Sequence, residues 1–108
     1  MQPESEFEKL AYWRKRIDGT DLQILTLLNE RTRIVEEVAR VKGQLDLPVF
    51  QRSREEQVLA NATGRNPGPL PDDAVKLVFE RIIGEMRAFE TARLEEPNGE
   101  VRGKRKSC

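Results

Sequence analysis

FEKLAYWRKRIDGTDLQILTLLNERTRIVEEVARVKGQL, residues 7–45, decides the fold. Steps of 3 and 4 alternate without a slip through Phe7, Leu10, Arg14, Ile17, Asp21, Ile24, Leu28, Arg31, Val35, Val38, Lys42 and Leu45. That is the heptad seam of a helix that packs on other helices. Eight rungs are apolar and four are charged: Arg14, Asp21, Arg31 and Lys42. Charge on a packing seam is costly to desolvate, so each of the four calls for a reason. No proline stands between Pro3 and Pro48. Gly19 is the one weak point, costing about 1 kcal/mol against alanine.

Length then points beyond one chain. The 39 residues of the stretch make a helix of roughly 58 Å. A globule of this chain's length has a radius of gyration of only about 13 Å. The seam therefore calls for a second chain, most simply in a two-fold homodimer. The alternative is a monomeric bundle in which the helix breaks at Gly19.

The 108 residues suffice for one domain, expected over residues 1–94, followed by a polar, disordered tail over 95–108. Nineteen basic and 19 acidic residues cancel, which argues against a nucleic acid or a membrane surface as main partner. No apolar run approaches a membrane span, and the N-terminus lacks a signal pattern. The single cysteine, Cys108, suits a reducing, cytoplasmic setting. Without histidine, the usual general base and metal ligand are missing, and one cysteine builds no zinc site. Any chemistry must rest on shape, charge and hydrogen bonds.

Three helices and no strand pattern give an all-α fold. The first is expected from about Ser5 to Lys42, with Trp13, Leu22, Leu25, Leu27, Ile34 and Val41 widening its apolar face and Gly43 as its stop. A loop through Pro48 leads to a short second helix over about 53–63. There Ser53 and Glu56 have the spacing of a capping box, and Val58, Leu59 and Ala62 face inward. The turn from Gly64 to Pro71 precedes a third helix that starts around Pro71 to Asp73 and continues to about Leu94. Its apolar face holds Val75, Val78, Phe79, Ile82, Ile83, Met86 and Phe89. Pro97 and Gly99 end it, and the tail carries Lys104, Arg105 and Lys106.

Arg31 and Lys42 stand 11 residues apart, roughly 16 Å along a helix, close enough to grip one small anion between long side chains. Arg14 lies 17 residues before Arg31, roughly 25 Å away, too far to join them on its own chain. A partner helix that crosses or runs antiparallel can bring its Arg14 to them. Three cations from two chains then suit a small dicarboxylate, arginine being well matched to a carboxylate fork. Glu90 continues the apolar line of Phe79, Ile83 and Met86. Burial favours a glutamate's neutral form, which can donate a hydrogen bond. Arg54 and Glu55 open the second helix and offer further polar contacts. Buried ion pairs that fix helix register account for the same seam charges, and spacing does not separate the two readings.

The chain resembles the all-helical chorismate mutases. The pattern is Leu10, Arg14, Ile17, Asp18, Asp21; then Leu27, Leu28, Glu30, Arg31; then Val38, Ala39, Lys42; then Pro48, Val49, Arg54, Glu55; then Phe79, Ile82, Ile83. It covers roughly residues 7–92. The resemblance implies an intertwined homodimer with two active sites that rearrange chorismate to prephenate, for phenylalanine and tyrosine, without cofactor or metal. It implies that Arg14 of the partner and Arg31 bind carboxylates, and that Lys42 bonds the ether oxygen and a carboxylate. It further implies that Glu55 accepts from the ring hydroxyl, with Arg54 beside it. Three positions depart from a common form of the pattern. Gln51 replaces an aspartate near the hydroxyl, Met86 a serine that touches a carboxylate, and Glu90 a glutamine that donates to the ether oxygen. Lys42 and Glu90 are the expected catalytic groups. An isochorismate pyruvate-lyase of the same fold, and a non-enzymatic dimerisation module, are the competing readings. Asp21 is left a structural role, paired with a neighbouring cation.

Overall fold

The computed structural model describes residues 5–94 and contains three α-helices: α1 (Glu6–Leu45), α2 (Arg52–Gly64) and α3 (Asp72–Leu94). The expected tail and its basic residues lie outside the described residues. Two compact units divide within α1, between Ile34 and Val35.

The first unit is helix alone among the described residues. Ser5 opens it with a reciprocal cap: the Glu8 amide donates to Ser5 Oγ at 3.1 Å, and the Ser5 amide donates to Glu8 Oε1 at 2.9 Å. Two orphan amides of the first turn are thereby satisfied, and Glu6 and Glu8 complement the helix dipole. The helix passes through Gly19 unbroken. Every residue from 5 to 27 is exposed, including Phe7, Leu10, Trp13, Ile17, Leu22, Ile24 and Leu25. Asp21 is exposed as well, and the expected pairing with a cation is not made in its own chain among the described residues.

The second unit starts with the last turns of α1. Gly43 does not stop the helix, as expected from sequence; it stays helical, and the reversal comes at Asp46, whose φ is 60°. The Leu47 amide donates to Lys42 O at 2.8 Å and the Asp46 amide to Gly43 O at 3.2 Å. This is the Schellman arrangement, and aspartate is among the few residues with a side chain that tolerate the left-handed position.

Helix α2 begins at Arg52, not Ser53. Gln51 is its N-cap residue, in extended conformation, and its carbonyl accepts from the amides of Arg54 and Glu55 at 3.1 Å. Ser53 is already helical, so the expected capping box with Glu56 does not form, and no side chain caps this end. Val58, Leu59 and Ala62 are half-buried, as expected. Asn66 ties the turn that follows: its Nδ2 donates to Leu70 O at 2.7 Å and to Asp72 Oδ1 at 2.8 Å, and its Oδ1 accepts from the Gly68 amide at 3.1 Å. Gly68 sits there at φ 77°, a region glycine enters without strain.

Helix α3 packs on α2. Val75 and Ile83 are buried, with Phe79, Ile82, Met86 and Phe89 half-buried; Val78, expected on this face, is exposed. Glu90 is buried on the same line, 7% accessible. The final turns of α1 reach α3 through charged side chains, Lys42 to Glu90 and Glu36 to Arg93.

Candidate active site

Lys42 occupies the last turns of α1, where the reversal at Asp46 leads the chain back past it. Its Nζ donates to Val49 O at 2.8 Å and to Glu90 Oε2 at 3.3 Å. The side chains of Lys42 and Glu90 are only 17% and 9% accessible. A pair this sheltered is held by its mutual contact and its added hydrogen bond, since desolvation works against both charges. Among the described residues two of the ammonium's three donors are engaged, which leaves one for a ligand.

Glu55, in the first turn of α2, faces α3. It accepts from Arg87 Nε at 2.9 Å and from Arg87 Nη2 at 2.8 Å, a two-point fork. The Arg87 hydrogen bonds hold the Glu55 carboxyl below the ordinary carboxylate range. Burial opposes this, while the charges of Arg87 and Lys42 reinforce it. The pairing in turn raises the Arg87 guanidinium's proton affinity. Arg87 lies over the Phe50 ring, 5.1 Å from its centroid, and Arg52 approaches the same ring at 5.9 Å. One turn beyond Glu90's neighbourhood, Arg93 pairs with Glu36 and lies 5.2 Å over Phe89.

The second unit thus brings together three of the residues singled out from sequence: Lys42, Glu55 and Glu90. Lys42 bonds the Glu90 carboxylate, its charge also acts on Glu55, and Arg87 clamps Glu55. Arg54 is not drawn in; it is exposed and donates to Gln57 Oε1 at 2.7 Å. Gln51 serves through its backbone as the start of α2 and is half-buried. Met86 is half-buried one turn before Glu90. In the first unit Arg31 is half-buried and engaged in its own contacts, whereas Arg14 is exposed.

Sequence reasoning missed Arg87. It lies outside the heptad and off the apolar line, and only the packing of α2 on α3 puts it opposite Glu55. A signal was present in retrospect: an arginine one position past Met86, flanked by apolar residues, on a helix whose partner carries an acidic first turn. No group of His, Cys, Asp and Glu among the described residues could hold a metal, and no described helix is long and apolar enough to cross a membrane. The arrangement can bind an anion at Lys42, accept a hydroxyl proton's hydrogen bond at Glu55, and exchange a hydrogen bond at Glu90.

Residues 13–91 match the family described as chorismate mutase type II. The chorismate mutase of Methanocaldococcus jannaschii is 32% identical over 90 residues, covering 82% of this chain and 91% of that protein. The bifunctional chorismate mutase/prephenate dehydratase of Pseudomonas aeruginosa is 39% identical over 88 residues, covering 77% of this chain. The chain spans about a quarter (24%) of that relative's length. Among solved structures, chorismate mutase form II from Thermus thermophilus superposes with a TM-score of 0.74 at 37% identity, over 77% of this chain and 94% of that one.

Proposed function

The chain belongs to the chorismate mutase type II family, and from that premise we propose that it rearranges chorismate to prephenate, on the route to phenylalanine and tyrosine. The observation that carries this is Lys42, sheltered beside Glu90, with a third donor unspent among the described residues. The rearrangement is intramolecular and needs no nucleophile, so positioned charge and hydrogen bonds suffice. Cytoplasmic placement accompanies this reading and rests on the single cysteine.

In this mechanism the substrate enters as a dianion and is folded into its reactive conformer by cations at its two carboxylates. Arg31 and Arg14 of a second chain take those carboxylates. Lys42 donates to the ether oxygen, where negative charge grows as the carbon–oxygen bond breaks. Glu90, which holds Lys42, borders the same oxygen as the second catalytic group. Glu55 accepts from the ring hydroxyl and fixes the ring's orientation. Gln51 and Met86 border the substrate and tune its fit, and Arg54 joins them on exchanging its Gln57 contact for the substrate.

The unit is a homodimer in this account. Support comes from the run of exposed apolar side chains on α1, from Phe7 through Ile24 and Leu25, which has no cover within the described chain. An apolar stripe of that length marks a protein interface.

The test is direct. Purified protein is mixed with chorismate and, separately, with isochorismate, and the products are identified by chromatography. Prephenate from chorismate supports the proposal. Pyruvate and salicylate from isochorismate, with chorismate untouched, replaces it by a lyase of the same fold. No turnover of either leaves a dimerisation module.

A further inference from the structure

We propose that Arg87 is the positioning residue that holds the Glu55 carboxylate in the orientation in which it accepts the substrate's ring hydroxyl. This rests on the role given to Glu55 above.

The geometry is that of a brace. Both Glu55 oxygens are engaged by Arg87, through Nε and Nη2, at 2.9 and 2.8 Å. A two-point contact fixes the plane of a carboxylate as well as its place, which a single ammonium contact does not do. The brace is itself supported, since the guanidinium rests over the Phe50 ring at 5.1 Å. Glu55 is well sheltered (22% accessible) whereas Arg87 is more open at 42%, so the arginine stands behind the carboxylate on its outer side.

The charged groups around Glu55 agree with this division of work. From α3 it meets Arg87; from the end of α1 it feels Lys42, which is itself held by Glu90. On α2 itself, Arg52, Arg54 and Glu56 are exposed. Lys42 is the cation with a donor left for substrate, and Arg87 is the cation spent on Glu55. Arg87 therefore acts through Glu55 and not on the substrate. The ionised Glu55 carboxylate is the stronger hydrogen-bond acceptor, and the Arg87 contact is the largest influence keeping it ionised.

The experiment compares Arg87→Met, Arg87→Lys, Glu55→Gln and the double variant Glu55→Gln/Arg87→Met. Circular dichroism and sedimentation establish that each is folded and assembled as wild type. Chorismate turnover is then followed across pH, and the Glu55 carboxyl carbon is titrated by NMR in wild type and Arg87→Met. Arg87→Met lowers kcat/KM about tenfold, as expected for a misplaced contact group, and moves its acid limb to higher pH. Arg87→Lys restores the limb in part, because charge returns, but not the rate in full, because the fork does not. In the Glu55→Gln background, Arg87→Met has no further effect. The NMR titration of Glu55 shifts upward in Arg87→Met.

Two outcomes overturn the assignment of Arg87 itself: an Arg87→Met loss that multiplies with that of Glu55→Gln, or an unchanged Glu55 titration. A Glu55→Gln variant with wild-type kcat/KM overturns it differently, by removing the role of Glu55 while the NMR shift still reports the pairing.

Discussion

Lys42 Nζ donates to Glu90 Oε2 at 3.3 Å, joining the end of α1 to the last third of α3 across 48 positions of sequence. Both side chains are largely shielded from solvent. In such a site each charge depends on the other.

Removing one partner separates structure from chemistry. Lys42→Ala leaves the Glu90 carboxylate buried without its cation, and the chain loses about 1–3 kcal/mol of stability. Replacing both, as Lys42→Met/Glu90→Leu, recovers most of that loss, because the desolvation cost of both charges disappears. Catalysis is not recovered: kcat/KM falls by about 10²–10³-fold in both variants. Urea titration and chorismate turnover on the same samples check this. A double variant that regains activity would show the pair to be purely structural.

Glu90 predicts a gain from an amide. A carboxylate paired with Lys42 accepts hydrogen bonds, whereas an ether oxygen that gathers negative charge needs donors. Glu90→Gln places an amide donor at the same position and raises kcat/KM for chorismate. An unchanged kcat/KM in Glu90→Gln would remove Glu90 from the ether oxygen.

Asp46 predicts a stability effect away from the chemistry. At φ 60° it closes α1 and sends the chain back toward Val49, the carbonyl that Lys42 binds. Asp46→Gly gains about 0.5 kcal/mol, since glycine enters this region freely. Asp46→Val loses about 1–2 kcal/mol, since a branched side chain does not. Thermal unfolding of the two variants against wild type measures the difference, and equal midpoints would contradict the assignment of the reversal to this residue.

Much of this is legible in the sequence, because helices declare themselves by spacing. The unbroken 3–4 ladder from Phe7 to Leu45 marks α1 almost to its ends, and Glu90's place on the apolar line of α3 foretells its burial. Local signals are less decisive where several compete. Ser53 and Glu56 have capping-box spacing, yet Gln51 starts α2, because the extended chain after Pro48 already supplies a carbonyl in register. The same spacing at Ser5 and Glu8 does form the box. Gly43 reads as a stop, but a glycine in a helix costs little beside the hydrogen bonds of two further residues, and the stop passes to Asp46. The Glu55–Arg87 fork is only hinted at by an arginine beside Met86, since the pairing depends on how two helices pack, which neither helix's own pattern encodes.

Each active site, in the proposed dimer, is assembled from two chains, with Arg14 coming from one and Lys42 from the other. Co-expression of Arg14→Ala with Lys42→Ala tests this most directly. Each variant alone is nearly inactive. In a mixed dimer one site carries both defects and the other carries neither, so random pairing restores about a quarter of wild-type activity. A co-expressed mixture no more active than its two parents would show that Arg14 and Lys42 do not meet across a dimer.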